Sequence, residues 1–585
     1  MAKPVVILCL ALFAAGCGKS PSEQFTALSE EFVNTTLSFS PATATGVGLH
    51  EYRNQKLDDM LDDLSAQALD RQRRFNQKFL GRLSALPAGQ LTAEDRADLA
   101  IMQDQASLAL LDMDEIHSLM HNPTLYVETL GNALFNPFVL EYAPKPARIR
   151  NIIARLQKVP LFLDQAATNL VSAPELWTTV AVEENQGNID LVDKDIRAAV
   201  PPELVDAYAR AARPALDEMR KFEGFLKNSL AGRKDENWRL GGGLYSRKFR
   251  FALESGIEAD TTLQSAEREL TAVRARMLDL ALPLHRTYYP SHRDHSDVLG
   301  PERENLVIGE TLKKIAERHS TRESFMDDAR KDVDEARNFV QEKHLLTLPA
   351  HANLQVIPTP EFMRGIYSVA GFNGAPALEP QLGAFYWVTP IPAQMPQDQV
   401  DSKLREDNFY KLKLLTIHEA MPGHYVQFEF ANSLRPNSRR VLRAVYGSGP
   451  YVEGWAQYAE QTMLEQGYLN HSPQLALTFA KEELRVIANT ILDIRLQMLN
   501  MPDEEAMDLM EKQTFQEHQE AVGKLRRAKL SSCQLPMYFV GWRGWQQARD
   551  QYQGAKGAAF HLMEFNDRAL QEGAVPLPLL SSLLQ

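Results

Sequence analysis

The sequence predicts a mainly α, multi-helix fold with one small β-sheet. Three observations carry that prediction. Apolar residues recur at three- and four-residue spacing through most of the chain. Short β-branched and aromatic runs bounded by Pro and Gly are confined to about residues 351–390. Helical periodicity resumes after about Leu404 and continues toward the C-terminus. With 585 residues, 44% hydrophobic and 24% charged, the chain can bury an extensive core, and its composition excludes a disordered or collagen-like polymer.

The first element is a targeting signal. "MAKPVVILCLALFAAGCGKS" places Lys3 before an apolar run through Phe13, then Ala14, Ala15 and Gly16 before Cys17. An ordinary secretory signal also ends in small residues. A cysteine directly after such a run resembles a bacterial lipobox, although Ala14 stands where Leu is usual. The expectation is a signal peptide over 1–16 and a lipid anchor on Cys17. Gly18, in place of Asp, resembles sorting to the outer rather than the inner membrane. No later segment has the run of about eighteen apolar residues that a spanning helix needs. The expected location is therefore the periplasmic face of the envelope, with membrane contact through the anchor alone. Cys9 falls in the removed segment, so Cys533 is the one cysteine left in the body and no internal disulfide is available.

Residues 17–240 read as helices in series. "SEQFTALSEEFVNTTL", "IRNIIARLQKVPLFLDQAATNLV" and "PPELVDAYARAARPALDEMRKFEGFLKNSL" carry apolar stripes of the kind that face a core. "SFSPATATGVGLHEY" reads as a loop, with Pro41, Gly46 and Gly48 as breakers. In "ENWRLGGGLYSRKF" the glycines at 241–243 lack the G-K-[ST] ending of a phosphate loop and no strand precedes them, so they read as a hinge that opens a second region, 241–585. There "NLQVIPTP" and "GAFYWVTPIP" read as strands. The prolines after Val388 favour an edge strand, open to pairing with a substrate backbone. Helices are expected at 407–421, 450–466, 474–499, 503–528 and 555–571. The formal net charge of -13 repels phosphate backbones, so nucleic acid is not an expected partner.

The chemistry is concentrated in "LLTIHEAMPGHYVQ". A zinc-peptidase helix carries H-E-x-x-H, with its two histidines about 40° apart around the helix axis. Here His424 follows His418 by six residues. On an unbroken helix that is a divergence of about 120°. Pro422 removes a backbone donor and Gly423 accepts unusual dihedrals, so a break between them can swing His424 back toward His418. A catalytic zinc ion usually takes three protein ligands, and two histidines with one glutamate form an established set. The third candidate is Glu453 in "GPYVEGWAQYAEQTM", where Gly454 leaves room for a close approach. Glu460, seven residues on and roughly on the same face, is its rival. Glu419 points about 100° from His418, which suits a general base acting on an ion-activated water better than a co-ligand.

"HEAMPGHYVQ" followed by "YVEGWAQYAE" resembles a large bacterial family of unknown function, often lipoproteins, with the pattern H-E-x-x-P-G-H and then E-G-W-x-x-Y. "SCQLPMYFVGW" and "FNDRALQEGAVPLPLL" extend the resemblance toward the C-terminus. The family is regarded as related to the gluzincin metallopeptidases, which implies a mostly helical fold with a small sheet beside a metal-bearing helix pair. It implies His418, His424 and Glu453 as ligands of one Zn2+, Glu419 as general base, and Tyr538 as donor to the oxyanion. The sequence departs from the family at Tyr425, where many members have a second histidine, at Asn566 in the closing stretch, and in "NTILD" with Asn489 and Asp493.

The expected function is a zinc-dependent hydrolase, a metallopeptidase acting on peptides in the periplasm. A non-catalytic binding or scaffold lipoprotein and an amidase on non-peptide substrates are the alternatives. Arg443, Arg485 and Arg543 are candidates for clamping a substrate's terminal carboxylate.

Overall fold

The computed structural model describes residues 21–585 apart from 255, 293, 351–352, 361–362, 365–366 and 368. The expected signal peptide over 1–16 and the expected lipid site Cys17 lie outside the described residues. The periodic stripes form helices that bury their apolar faces. Helix α1 (Pro21–Phe39) buries Phe25, Phe32, Val33 and Leu37. The segment expected to be a loop contains a short helix, α2 (Pro41–Gly46), and a two-strand hairpin of β1 (Glu51–Tyr52) and β2 (Gln55–Lys56). Pro41 opens α2 rather than preventing it, because the first helical position needs no N–H. Helix α3 (Ala93–Leu111) begins at Thr92, whose hydroxyl accepts from Asp95 N at 3.1 Å. Helix α4 (Val205–Gly224) buries Tyr208, Ala211, Ala212, Ala215, Leu216 and Met219 on one stripe. The three glycines are the first turn of α5 (Gly241–Leu253), not a separate hinge. Two long helices follow, α6 (Ala259–Tyr288) and α7 (Pro301–Ala316), and then α8 (Phe325–Lys343).

The sheet has three strands, β3 (Leu354–Pro358), β4 (Ala370–Asn373) and β5 (Ala384–Val388), in the order β3–β5–β4. Strand β3 runs parallel to β5 and β4 antiparallel, so Val356 and Phe372 flank Tyr386. "AFYWV" is thus the central strand, which corrects the edge-strand expectation. Pro390 lies beyond Val388 and takes no donor from the ladder. Successive side chains of a strand point to opposite faces. Tyr386 enters the apolar core shared with α5–α8 and the C-terminal helices, while Trp387 enters the core built on Tyr126, Leu130, Ile152 and Met219. A strand buried on both faces between two cores needs neighbours on both edges.

The C-terminal helices are α9 (Phe409–Glu419), α10 (His424–Ala431), α11 (Asn437–Val445), α12 (Gly449–Glu465), α13 (Pro473–Met498) and α14 (Pro536–Lys556). The expected 503–528 helix is divided by a break before His518, and the expected 555–571 helix is shortened to Leu562–Gln571. Helix α14 has no counterpart in the periodicity reading. Its start, "PMYFVGWRGW", is rich in aromatics and glycine, which are weak helix formers, and tertiary packing overrides them. No helix among the described residues is long and apolar enough to cross a membrane.

Candidate metal centre

The side chain of Asn408 caps α9 by accepting from Tyr410 N and Lys411 N at 3.1 and 3.3 Å. The helix ends at Glu419, passes through a cis Met421–Pro422 bond and restarts at His424. The reversal is tight: Gly423 N donates to Ile417 O at 2.9 Å. A Cβ on Gly423 would fall 1.9 Å from His418 O, so only glycine fits. Trp455 of α12 holds the bend from outside, its Nε1–H donating to Pro422 O and Gly423 O at 3.0 and 3.2 Å. The break that the six-residue spacing requires is therefore present, and it brings the two imidazoles together with ring centroids 4.8 Å apart and planes nearly perpendicular.

Glu453, on the first turns of α12, completes the set. Its Oε2 lies 3.7 Å from His418 Nε2 and 3.6 Å from His424 Nε2. In a tetrahedral zinc site with ligand distances of about 2.0–2.2 Å, donor atoms stand about 3.3–3.6 Å apart. One donor atom from each residue lies within 4.8 Å of the other two. Glu453 Oε2 and His424 Nδ1 are both buried without a hydrogen-bond partner. A buried carboxylate oxygen with no donor is costly, and a cation shared with the two imidazoles would satisfy it. The residues present fit a zinc ion.

Glu460 does not compete for that position. Its Oε1 sits 2.9 Å from His418 Nδ1, on the far side of the ring, where Gln457 Nε2 also approaches at 3.2 Å. A carboxylate accepting the Nδ1 proton fixes the tautomer and leaves Nε2 free as a ligand. Sequence position placed Glu460 on the right face but could not assign it to one ring nitrogen. Burial opposes charge on His418, yet Glu453 and Glu460 raise its pKa to about 10. Burial pushes Glu453 up, and the two imidazoles outweigh it and hold its carboxyl far below the usual range. Carboxylates outnumber imidazoles here, so the site calls for positive charge.

Tyr538 comes from α14. Its ring stacks beside His418 with centroids 6.4 Å apart. Burial, reinforced by Glu453 and Glu419, keeps its phenol protonated and therefore able to donate. What brings α14 so near is a glycine crossing. A Cβ on Gly454 would meet Gly541 C at 2.2 Å, and one on Gly541 would meet Pro450 O at 1.9 Å. The space beside Glu453 thus admits a helix backbone. Glu419 ends α9, half-buried, at the bend. Phe372 of β4 stacks on His424 with centroids 6.4 Å apart, a neighbour the sequence did not indicate.

Of the four residues at which the sequence departs from the family pattern, Tyr425, Asp493 and Asn566 have hydrogen-bond partners, while Asn489 Oδ1 is buried without one. Tyr425 donates to Asn353 Oδ1 at 2.9 Å, beside the sheet. Asp493 accepts from Tyr245 Oη, Cys533 N and Leu535 N, pinning the segment that leads into Tyr538. Asn566 Nδ2 donates to Leu345 O at 2.8 Å. The three candidate arginines are all ion-paired: the buried Arg443 with Asp98, the partly exposed Arg485 with Glu482 and Glu520, and the partly exposed Arg543 with Glu269.

The sequence profile of a bacterial family of unknown function, DUF885, matches residues 41–584. The chain belongs to this family. Nothing among curated proteins is significantly similar to this DUF885 member. Among solved structures, a candidate lipoprotein of unknown function from Shewanella oneidensis is 28% identical, with a TM-score of 0.79 over 96% of this chain and 99% of its own. A candidate lipoprotein from Colwellia psychrerythraea is 17% identical, with a TM-score of 0.77 over 97% of this chain and 98% of its own, and speaks to the DUF885 fold alone.

Proposed function

We propose that the protein is a zinc-dependent hydrolase of the gluzincin type, a metallopeptidase that cleaves peptide bonds at the periplasmic face of the envelope. The observation that carries this reading is the convergence of His418, His424 and Glu453 on one point, with Glu453 Oε2 otherwise unsatisfied. A zinc ion held by these three residues would supply Lewis acidity, polarising the scissile carbonyl and acidifying the attacking water. Glu419, the next residue after His418, takes the proton of that water and returns it to the leaving amine. Glu460 orients His418 through Nδ1. Tyr538 donates its O–H to the developing oxyanion. Strand β4 is one edge of the sheet and carries Phe372 against His424, so an extended peptide pairing with β4 would run beside the donors. With all three candidate arginines engaged elsewhere, nothing favours a terminal-carboxylate clamp among them. The similar structure from Shewanella oneidensis is a candidate lipoprotein, which supports anchoring through Cys17, while the outer-membrane address rests on Gly18 in the sequence.

The test is elemental analysis and peptide turnover on the purified protein. His418→Ala should lose about one zinc equivalent, on the three-ligand stoichiometry. Glu419→Gln should retain zinc and lose turnover by about 10²–10⁴-fold. Unchanged turnover in Glu419→Gln sinks the mechanism. Zinc without turnover of any peptide turns the reading to the scaffold alternative, and turnover of cell-wall amides alone turns it to the amidase.

A further inference from the structure

Away from this centre, the connection between α6 and α7 gathers a second set of donors. His285 lies in the last turn of α6 and is fully buried. His292 and His295 lie in the connection that follows, and Glu310 on α7 faces them. His285 Nε2 stands 2.8 Å and His295 Nε2 3.1 Å from the same atom, Glu310 Oε2. The His292 ring lies edge-on to His295, centroids 4.3 Å apart, and 5.3 Å from that of His285. One donor atom from each of the four lies within 4.8 Å of all the others.

The hydrogen-bond accounting at His285 is informative. Its Nδ1 faces Asp294 Oδ1 at 2.9 Å while its Nε2 faces Glu310. A carboxylate only accepts, and a neutral imidazole carries one N–H for these two acceptors. Asp294 is itself held by Arg286, whose Nε donates to Oδ2 at 2.6 Å, so it is the fixed partner. With the proton on Nδ1, the lone pair of Nε2 points at the oxygen that His295 also approaches. A second proton on His285 resolves the mismatch as a hydrogen bond, and so does a cation between the two atoms, which would draw them from 2.8 Å to the spacing of about 3.3–3.6 Å of a tetrahedral site. The outer carboxylate on Nδ1 repeats the relation of Glu460 to His418.

We propose that His285, His292, His295 and Glu310 form a second divalent transition-metal site, with Asp294 orienting His285. Three imidazoles and a carboxylate suit zinc and its neighbours rather than magnesium or calcium. Four protein donors close the coordination shell, which marks a structural site; a catalytic one keeps a position open. The ion ties the 289–300 connection to both helices. Helix α6 packs along α13, which carries Asp493, so the staple steadies the scaffold behind the first centre without touching it.

The experiment strips the full-length protein with chelator, reloads it with Zn2+ and counts ions per chain, with folding checked by circular dichroism. His292→Ala/His295→Ala changes an exposed and a half-buried side chain and should hold one zinc equivalent fewer than the parent, whatever the parent holds. It should also show a smaller zinc-induced rise in Tm. His418→Ala should lose the other equivalent, so failure at either site is read separately. Reloading with Co2+ should give a visible spectrum whose tetrahedral component is diminished in the double variant. Should that variant not fold, Glu310→Gln preserves side-chain volume and should show the same loss. An unchanged zinc count together with an unchanged cobalt spectrum overturns the proposal and leaves a histidine–carboxylate hydrogen-bond network.

Discussion

Tyr538 and His418 carry the sharpest consequences at the scale of single residues. Tyr538 remains a neutral phenol because burial and two nearby carboxylates oppose its ionisation. Tyr538→Phe keeps the ring against His418 and removes only the donor. It should lower kcat by about 10²–10³-fold with zinc content unchanged, measured by steady-state kinetics and elemental analysis. A normal kcat would remove Tyr538 from the chemistry. His418 has a pKa raised from 6.5 to about 10 in the ion-free protein. Its ion pairs with Glu453 and Glu460 therefore contribute stability that is full below about pH 6.5 and lost as pH rises through about 10. A zinc ligand must be deprotonated, so zinc uptake between pH 7 and 9 should release about one proton per ion at this centre. Calorimetry in buffers of different ionisation enthalpy measures that count in the His292→Ala/His295→Ala background, and a buffer-independent heat would contradict it. His418 and His424 were legible because the six-residue spacing is impossible for one ion unless the chain bends, and Pro-Gly stood between them to bend it, whereas Tyr538 came from the family resemblance alone. Glu460 was less so: helix spacing places a side chain on a face but does not say which atom of a partner it meets.

Helix crossings decide how the donors stay in place. Helix α12 supplies Glu453 as a donor and Trp455 as the clamp on the Pro422–Gly423 bend, while Gly454 between them admits α14 with Tyr538. Gly454→Ala inserts a methyl where backbone already lies. It should cost about 1–3 kcal/mol or more in urea denaturation, and kcat should fall with it because Tyr538 is carried outward. Stability and kcat both within error of the parent would show that the crossing relaxes without consequence. At this scale the sequence was read unevenly. Amphipathic helices declared themselves by period, since burial of one face is a local pattern. Strand order is not local: "AFYWV" is central because two separate cores need Tyr386 and Trp387 on opposite faces, and nothing within five residues reveals that. Helix α14 escaped because its glycines and aromatics serve packing against α12 rather than helix propensity.

Across the whole molecule, distant segments are joined by buried charge. Arg439 Nε and Arg443 Nε on α11 donate to Asp98 on α3 at 2.6 and 2.7 Å, and Arg439 also reaches Asp95. Asp98 and the Arg443 side chain are almost wholly buried. Asp98→Ala leaves a buried guanidinium without its carboxylate and should destabilise the protein by about 3–5 kcal/mol, read from the urea midpoint. A loss within about 0.5 kcal/mol would mean that the two segments are held by their apolar contacts alone.

The Trp455 clamp also sets an order of events. The bend is locked by a tryptophan from the helix that brings Glu453, so the donors become a socket only when α12 docks. An ion met earlier, on the nascent chain, would find two histidines on a flexible strand of polypeptide and no third partner. Loading of the proposed ion would therefore follow folding. Because donor sets of this kind hold several transition metals, copper more tightly than zinc, the ion that filled such a socket under the proposed function would be decided by the metal supply where folding finishes rather than where the chain is made.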